Sequence, residues 1–145
     1  MAFTLQLTIH LTPTELPLVW IVDDDDDDQY FLQYAFKQAL PHIKTRVLTD
    51  GLELITALEQ ETILPKLVLL DLNMPRKDGF EALQELRSIP DYQHLPVVVL
   101  TTSNRQEDKS KALQLGADDF MTKAAIQKEI LQMIKQLAVD WQLNE

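Results

Sequence analysis

Asp71 closes the apolar run Leu67–Leu70 and opens a turn sequence, so LVLLDLNMPRKDG sets a carboxylate at the end of a strand-like segment. A second apolar run, Leu18–Val22, ends in six aspartates, Asp23 to Asp28. A third, Pro96–Leu100, ends in Thr101-Thr102-Ser103, and the brief run Asp119–Met121 delivers Lys123. If these ends meet, Asp23, Asp24 and Asp71 repel one another, because two charges ~4 Å apart interact by about 4 kcal/mol at an effective dielectric near 20. A divalent cation relieves that repulsion. Mg²⁺ suits it, since it takes carboxylate oxygens, keeps several waters and leaves positions for phosphate oxygens. A carboxylate so placed can accept a phosphoryl group, because phosphoryl transfer is mostly positioning and charge neutralisation, and aspartyl phosphate is a known covalent intermediate. The Mg²⁺, the Lys123 ammonium and the Thr101 hydroxyl would each hold one equatorial oxygen.

The elements that must position these groups follow from periodicity. Leu67–Leu70 does not alternate polar with apolar, which predicts a strand buried on both faces, and its carboxyl end is where open α/β sheets bind ligands. After Leu18–Val22, the spacing of Leu32, Ala35, Phe36 and Ala39 predicts a helix that Pro41 ends, with Asp26 to Asp28 capping it. Thr45–Thr49 is a modest strand candidate; Asp50-Gly51 turns the chain into a helix marked by Leu54, Ile55 and Leu58. Phe80, Leu83 and Leu86 mark the next helix, which closes near Pro90. The helix from Gln106 to Leu115 is expected to turn Ala112 and Leu113 inward and to end at Gly116. Ile126, Ile130, Ile134, Leu137 and Trp141 give the last helix its apolar stripe. Strand and helix alternate five times, which predicts an α/β fold: a five-stranded parallel, doubly wound sheet with helices on both faces.

Composition narrows the classes. A chain of 145 residues with 46% hydrophobic and 25% charged residues suits one globular domain. Net charge is −10, which argues against nucleic acid as a partner, since phosphate binding needs clustered Lys and Arg. No Lys or Arg precedes Lys37, so the basic region of a signal peptide is lacking, and no apolar run approaches the ~20 residues of a membrane span. With no cysteine, a reducing cytoplasm is compatible. Residues 1–17, with Pro13 and Pro17, read as an N-terminal extension before a domain over 18–145. Its alternating Phe3, Leu5, Leu7 and Ile9 leave an edge strand or a homodimer contact open, and Trp141 leaves a dimer contact open too. His10, His42 and His94 lack ligand spacing and read as surface residues.

Four motifs in order, VDDD after the first strand, LLDLNMPRKDG, VVVLTTS and GADDFMTK, resemble the receiver domain of two-component response regulators, from about Leu18 to the last helix. LDLNMPRKDG with VVVLTTS is most similar to the small stand-alone receivers that often partner bacteriophytochrome-type histidine kinases. The resemblance implies a flavodoxin/CheY-like (βα)5 fold with Asp71 as phosphoacceptor. It implies Mg²⁺ on Asp24 directly, on Asp23 through water, on Asp71 and on the backbone carbonyl of Asn73. Thr101 and Lys123 would bind the phosphoryl group, Phe120 would be the aromatic switch that moves with Thr101, and Asn73 and Ser103 would tune hydrolysis. One departure stands out: the family usually has proline after the lysine, and this chain has Ala124.

The expected function is that of a phosphorylation-dependent cytoplasmic switch rather than an enzyme, taking its phosphoryl group from a sensor histidine kinase. With no output domain, it would signal by contact through its last two helices and the strand between them, or pass the group to another phosphotransfer protein. A Mg²⁺-dependent phosphohydrolase is the alternative from another class. Phosphatases resembling the haloacid dehalogenase group carry a second aspartate two residues after the nucleophile, where this chain has Asn73. A pseudo-receiver that binds a partner without phosphorylation is the third reading, hinted at by Lys123-Ala124.

Overall fold

Strands β1 (Pro17–Val22), β3 (Leu67–Leu70) and β4 (Val97–Thr101) form the middle of a sheet in a computed structural model that describes residues 17–143. Its order is β2-β1-β3-β4-β5, with β2 at Lys44–Leu48 and β5 at Asp119–Thr122, and every pair is parallel. The continuous apolar runs take the inner places because a central strand is covered on both faces. Lys44–Leu48 and Asp119–Thr122 are only partly buried, as expected of the two edges.

Alternate residues of the inner strands face opposite layers. Trp20, Val22, Val68, Leu70, Val97 and Val99 pack with α2 (Gly51–Glu59), α3 (Gly79–Ser88) and the small contact surface of α4 (Gln106–Gln114). Val19, Ile21, Leu67, Leu69, Val98 and Leu100 pack on the other face with α1 (Asp26–Ala39) and α5 (Lys123–Asp140). Each fully buried Leu, Ile or Phe contributes roughly 1.5–3 kcal/mol, so the two layers lock the strands in register and fix where their carboxyl ends fall.

Local differences from the expected pattern have plain causes. Pro17 extends β1 by one residue, opposite Lys44. Thr101 is the last residue of β4 rather than the first after it. Asp25, not Asp26 to Asp28, caps α1, accepting from the N–H of Asp28, and the other three fill the first turn. Leu113 is 42% exposed and Ala112 alone is buried in α4. Neighbours on a helix lie about 100° apart, so one of them must leave the contact. Ile134 and Leu137 are buried as expected, whereas the patch Phe3 to Ile9 and His10 lie outside the described residues. Among the described residues no helix is long and apolar enough to cross a membrane.

Candidate functional site

Backbone pairing carries the strand ladder one residue past β1 and β3, placing two carboxylates side by side. The N–H of Asp23 donates to the Leu48 carbonyl at 3.0 Å, and that of Asp71 to the Val22 carbonyl at 2.9 Å. Both residues are buried, at 2% and 5% exposure. The turn after β3 folds back tightly: a Cβ on Gly79 would fall 2.2 Å from the Asp71 carbonyl oxygen, so only glycine fits where its N–H meets the Leu72 carbonyl.

Asp23, Asp24 and Asp71 each offer an oxygen within 4.8 Å of the other two. Asp25 is committed to the helix cap. Asp23 Oδ1 accepts from the N–H of Asp25 at 2.9 Å, and the Gln29 side-chain amide donates to the Asp23 carbonyl. Lys123 reaches in from the start of α5; its Nζ lies 2.7 Å from Asp23 Oδ2, 2.7 Å from Asp28 Oδ2 and 3.5 Å from Asp71 Oδ2. Asp71 Oδ1 is buried and has no hydrogen-bond partner.

Electrostatics follow from this crowding. Burial pushes the Asp71 carboxyl up, as does neighbouring Asp23, while Lys123 and the N–H groups of Asn73 and Leu72 pull it back; the result is about 6. Asp23 is also raised, by burial before anything else, against the pull of Lys123 and the Asp25 N–H. Burial alone would lower Lys123, but hydrogen bonds to Asp23 and Asp28 and the charge of Asp71 outweigh it and raise the group. An all-oxygen donor set with an unpaired buried carboxylate oxygen fits a hard divalent cation.

The remaining expected site residues are spread around this centre. Thr101 is fully buried at the end of β4, and its Oγ1 accepts from the N–H of Ser103 at 3.3 Å. Ser103 Oγ donates to Asp108 Oδ2 at 2.5 Å, which turns it toward α4. Asn73 is exposed in the turn after Asp71. Phe120 is partly buried and packs on the core face that carries α3 and α4. It also lines a groove of about 610 Å³ with Arg105, Lys109, Met121, Gln132 and Met133. Among the described residues no peptide bond is cis, and α5 begins at Lys123 itself.

Two contacts escaped the sequence reading. Asp28 reaches Lys123, although nothing in a run of identical residues marks which one aims inward. Asp50, 2% exposed, caps α2 through the N–H groups of Leu52 and Glu53 and pairs with Arg76, which adopts φ 63° in the turn after Asp71. The aspartate-glycine pair that predicts the turn was the available signal for the cap, but none pointed to Arg76.

Comparison with known proteins agrees with this fold. A family profile described as response regulator receiver domain matches residues 19–135. The response regulator Rcp1 of Synechocystis sp. is 33% identical over 129 residues, spanning 86% of this chain and 88% of that protein. The crystal structure of the phosphorylated cyanobacterial phytochrome response regulator RcpA superposes with a TM-score of 0.77 at 32% identity, covering 88% of this chain and 94% of that one. The Mn²⁺-bound form of Rcp1 gives a TM-score of 0.74 at 33% identity, over 86% and 94% of the two chains.

Proposed function

Because the chain belongs to the response regulator receiver domain family, we propose that it is a signalling switch in which Asp71 accepts a phosphoryl group from a sensor histidine kinase. The observation that carries this reading is Asp71 Oδ1, buried, without a partner and 5% exposed as a residue, beside a lysine held by neighbouring carboxylates. In the transfer the P–N bond to the donor histidine breaks as a P–O bond forms to Asp71, and the leaving imidazole keeps the electron pair. With its pKa near 6, Asp71 is mostly ionised at neutral pH and can supply the attacking lone pair.

Each neighbour has a part in this proposal. Asp24, Asp71, the Asn73 carbonyl and, through water, Asp23 would hold Mg²⁺, which supplies positive charge to the phosphoryl oxygens. Lys123 supplies a second positive charge, and Thr101 turns its hydroxyl from Ser103 toward the phosphoryl group. Phe120 follows Thr101 inward and so changes the groove it lines, which is the surface offered to a downstream protein or phosphotransfer partner. Asn73 and Ser103 flank the phosphoryl group and set how fast water removes it. The site serves a switch rather than a metabolic phosphatase: Asn73, two residues after Asp71, cannot donate a proton as an acid would. A phytochrome-type kinase completes the proposal, supported by likeness to the phytochrome response regulator RcpA, together with a cytoplasmic setting, with which the lack of cysteine is compatible.

Incubation with Mg²⁺ and acetyl phosphate, followed by intact-mass measurement, tests it. One added phosphoryl group is expected, absent in Asp71→Asn. No adduct from acetyl phosphate or from a working cognate kinase would leave a pseudo-receiver, and rapid multiple turnover of varied phosphate esters would point to a hydrolase.

A further inference from the structure

Of the three aspartates in the first turn of α1, Asp26 and Asp27 are exposed and Asp28 alone turns into the site. Its side chain is 30% exposed and its Oδ2 accepts from Lys123 at 2.7 Å. Its backbone is fixed as well, since its N–H is the donor in the Asp25 cap. The carboxylate is therefore pre-set rather than free to swing with the solvent.

Asp23 serves several partners at once. Its Oδ1 holds the N–H of Asp25, its Oδ2 holds Lys123, and it belongs to the cluster of three that fits a divalent cation. A cation in that cluster and the Lys123 ammonium would compete for the same carboxylates. Asp28 is outside the cluster yet as close to the ammonium as Asp23 is. We propose that Asp28 is a positioning residue: it keeps Lys123 beside Asp71 when Asp23 is drawn toward a metal, and so lets cation and ammonium occupy the site together. The inference rests on the phosphoacceptor reading above, and extends it to a residue that never touches the phosphoryl group.

A bland role is available, because any acidic residue in a first turn favours the helix dipole. Asp27 shares that role without reaching Lys123, so Asp27→Asn removes the same charge from the same turn. Mg²⁺ titration by calorimetry on the intact chain then separates the two. In Asp28→Asn the ammonium settles on Asp23 and Asp71, and Mg²⁺ affinity is expected to fall roughly three- to tenfold, the scale of one net intramolecular hydrogen bond. Asp27→Asn should lose less than about twofold, the scale of an exposed charge, and Asp28→Glu should restore most of the loss. Phosphorylation by acetyl phosphate, followed by mass, should slow in the same order.

Equal losses in the two asparagine variants would overturn the inference, as would unchanged affinity in Asp28→Asn. The two readings fail differently. If the wild-type chain takes up no phosphoryl group while the Mg²⁺ affinities still separate, the phosphoacceptor role falls and the positioning of Lys123 stands. If the wild-type chain is phosphorylated and the two variants match it, only the role of Asp28 falls.

Discussion

Arg87 and Lys123 are largely buried cations at opposite edges of the sheet, and they are satisfied in opposite ways. At the amino-terminal edge, Arg87 near the end of α3 donates to the carbonyls of Gly116 at 3.0 Å, Tyr92 at 2.8 Å and Leu95 at 2.7 Å, and to Asp118 at 3.1 Å. Asp118 also accepts from the N–H that opens β4, that of Val97, at 2.8 Å. One charge is balanced by one carboxylate and by neutral dipoles, and nothing is left over. At the carboxyl edge, Lys123 faces Asp23, Asp28 and Asp71, and Asp71 Oδ1 has no partner at all. The saturated edge staples the fold, whereas the edge with surplus negative charge keeps capacity for a ligand. Both cations show the same opposition of forces. Burial lowers Arg87, with Asp118 resisting.

The comparison breaks most visibly at the arginine. Arg87→Ala removes the arginine donor from three carbonyls and Asp118, of which Tyr92 and Asp118 keep a backbone N–H partner, and removes a stem that packs on Gly116, whose φ of 107° lets the chain pass beneath it. A loss of about 2–4 kcal/mol is expected, because several charge-assisted bonds go together and part of the site stays buried. Urea denaturation measures it. The folded fraction should still take one phosphoryl group from acetyl phosphate; if phosphorylation disappears while the native fold persists, the two edges are not separable as described.

Neutralising the other edge should do the reverse. In the folded chain Asp71 titrates near 6 against an ordinary 3.8, so the native state holds a proton that the unfolded state has released between those values. Stability without metal ions therefore falls as pH rises from about 4 to about 6 and stays lowered above that, and Asp23 shifts in the same direction. Asp71→Asn removes this cost and should raise stability at pH 7 by about 1–3 kcal/mol in the presence of a chelator, while abolishing phosphorylation. Thermal melts from pH 4 to 8 check both parts; a wild-type curve that is flat over that range, or a variant that melts earlier at pH 7, would show that Asp71 is not under strain from its neighbours.

The same contrast explains which features were legible in the sequence. Leu18–Val22, Leu67–Leu70 and Pro96–Leu100 identify the inner strands because burial on both faces forces unbroken apolar runs, and parallel strands must then bring Asp23, Asp71 and Thr101 to one edge. The Arg87 staple left no such trace, since its acceptors are backbone carbonyls that every residue owns. Asp28 was hidden differently: six identical side chains carry no phase, and only the cap at Asp25 decides which of them turns inward. Leu113 was misplaced because one buried alanine is too little to set the rotation of α4.

A third charged pair lies between the two extremes and gives the smallest expected effect. Asp50 is as buried as Asp23, but two helix N–H groups already satisfy its Oδ1, so Arg76 adds charge balance to a carboxylate that is not stranded. Arg76 itself is 62% exposed on its side-chain atoms. Arg76→Ala should therefore cost about 1–2 kcal/mol, because the buried Asp50 Oδ2 loses its partner while Oδ1 keeps its two N–H donors. It acts through the turn that carries Asn73, three residues before it, so the informative readout is Mg²⁺ affinity rather than melting temperature. If the pair only balances Asp50, affinity is unchanged; a fall would mean that the turn is held in place from β2's end, and that the surplus charge at the carboxyl edge is supported by a satisfied pair of its own.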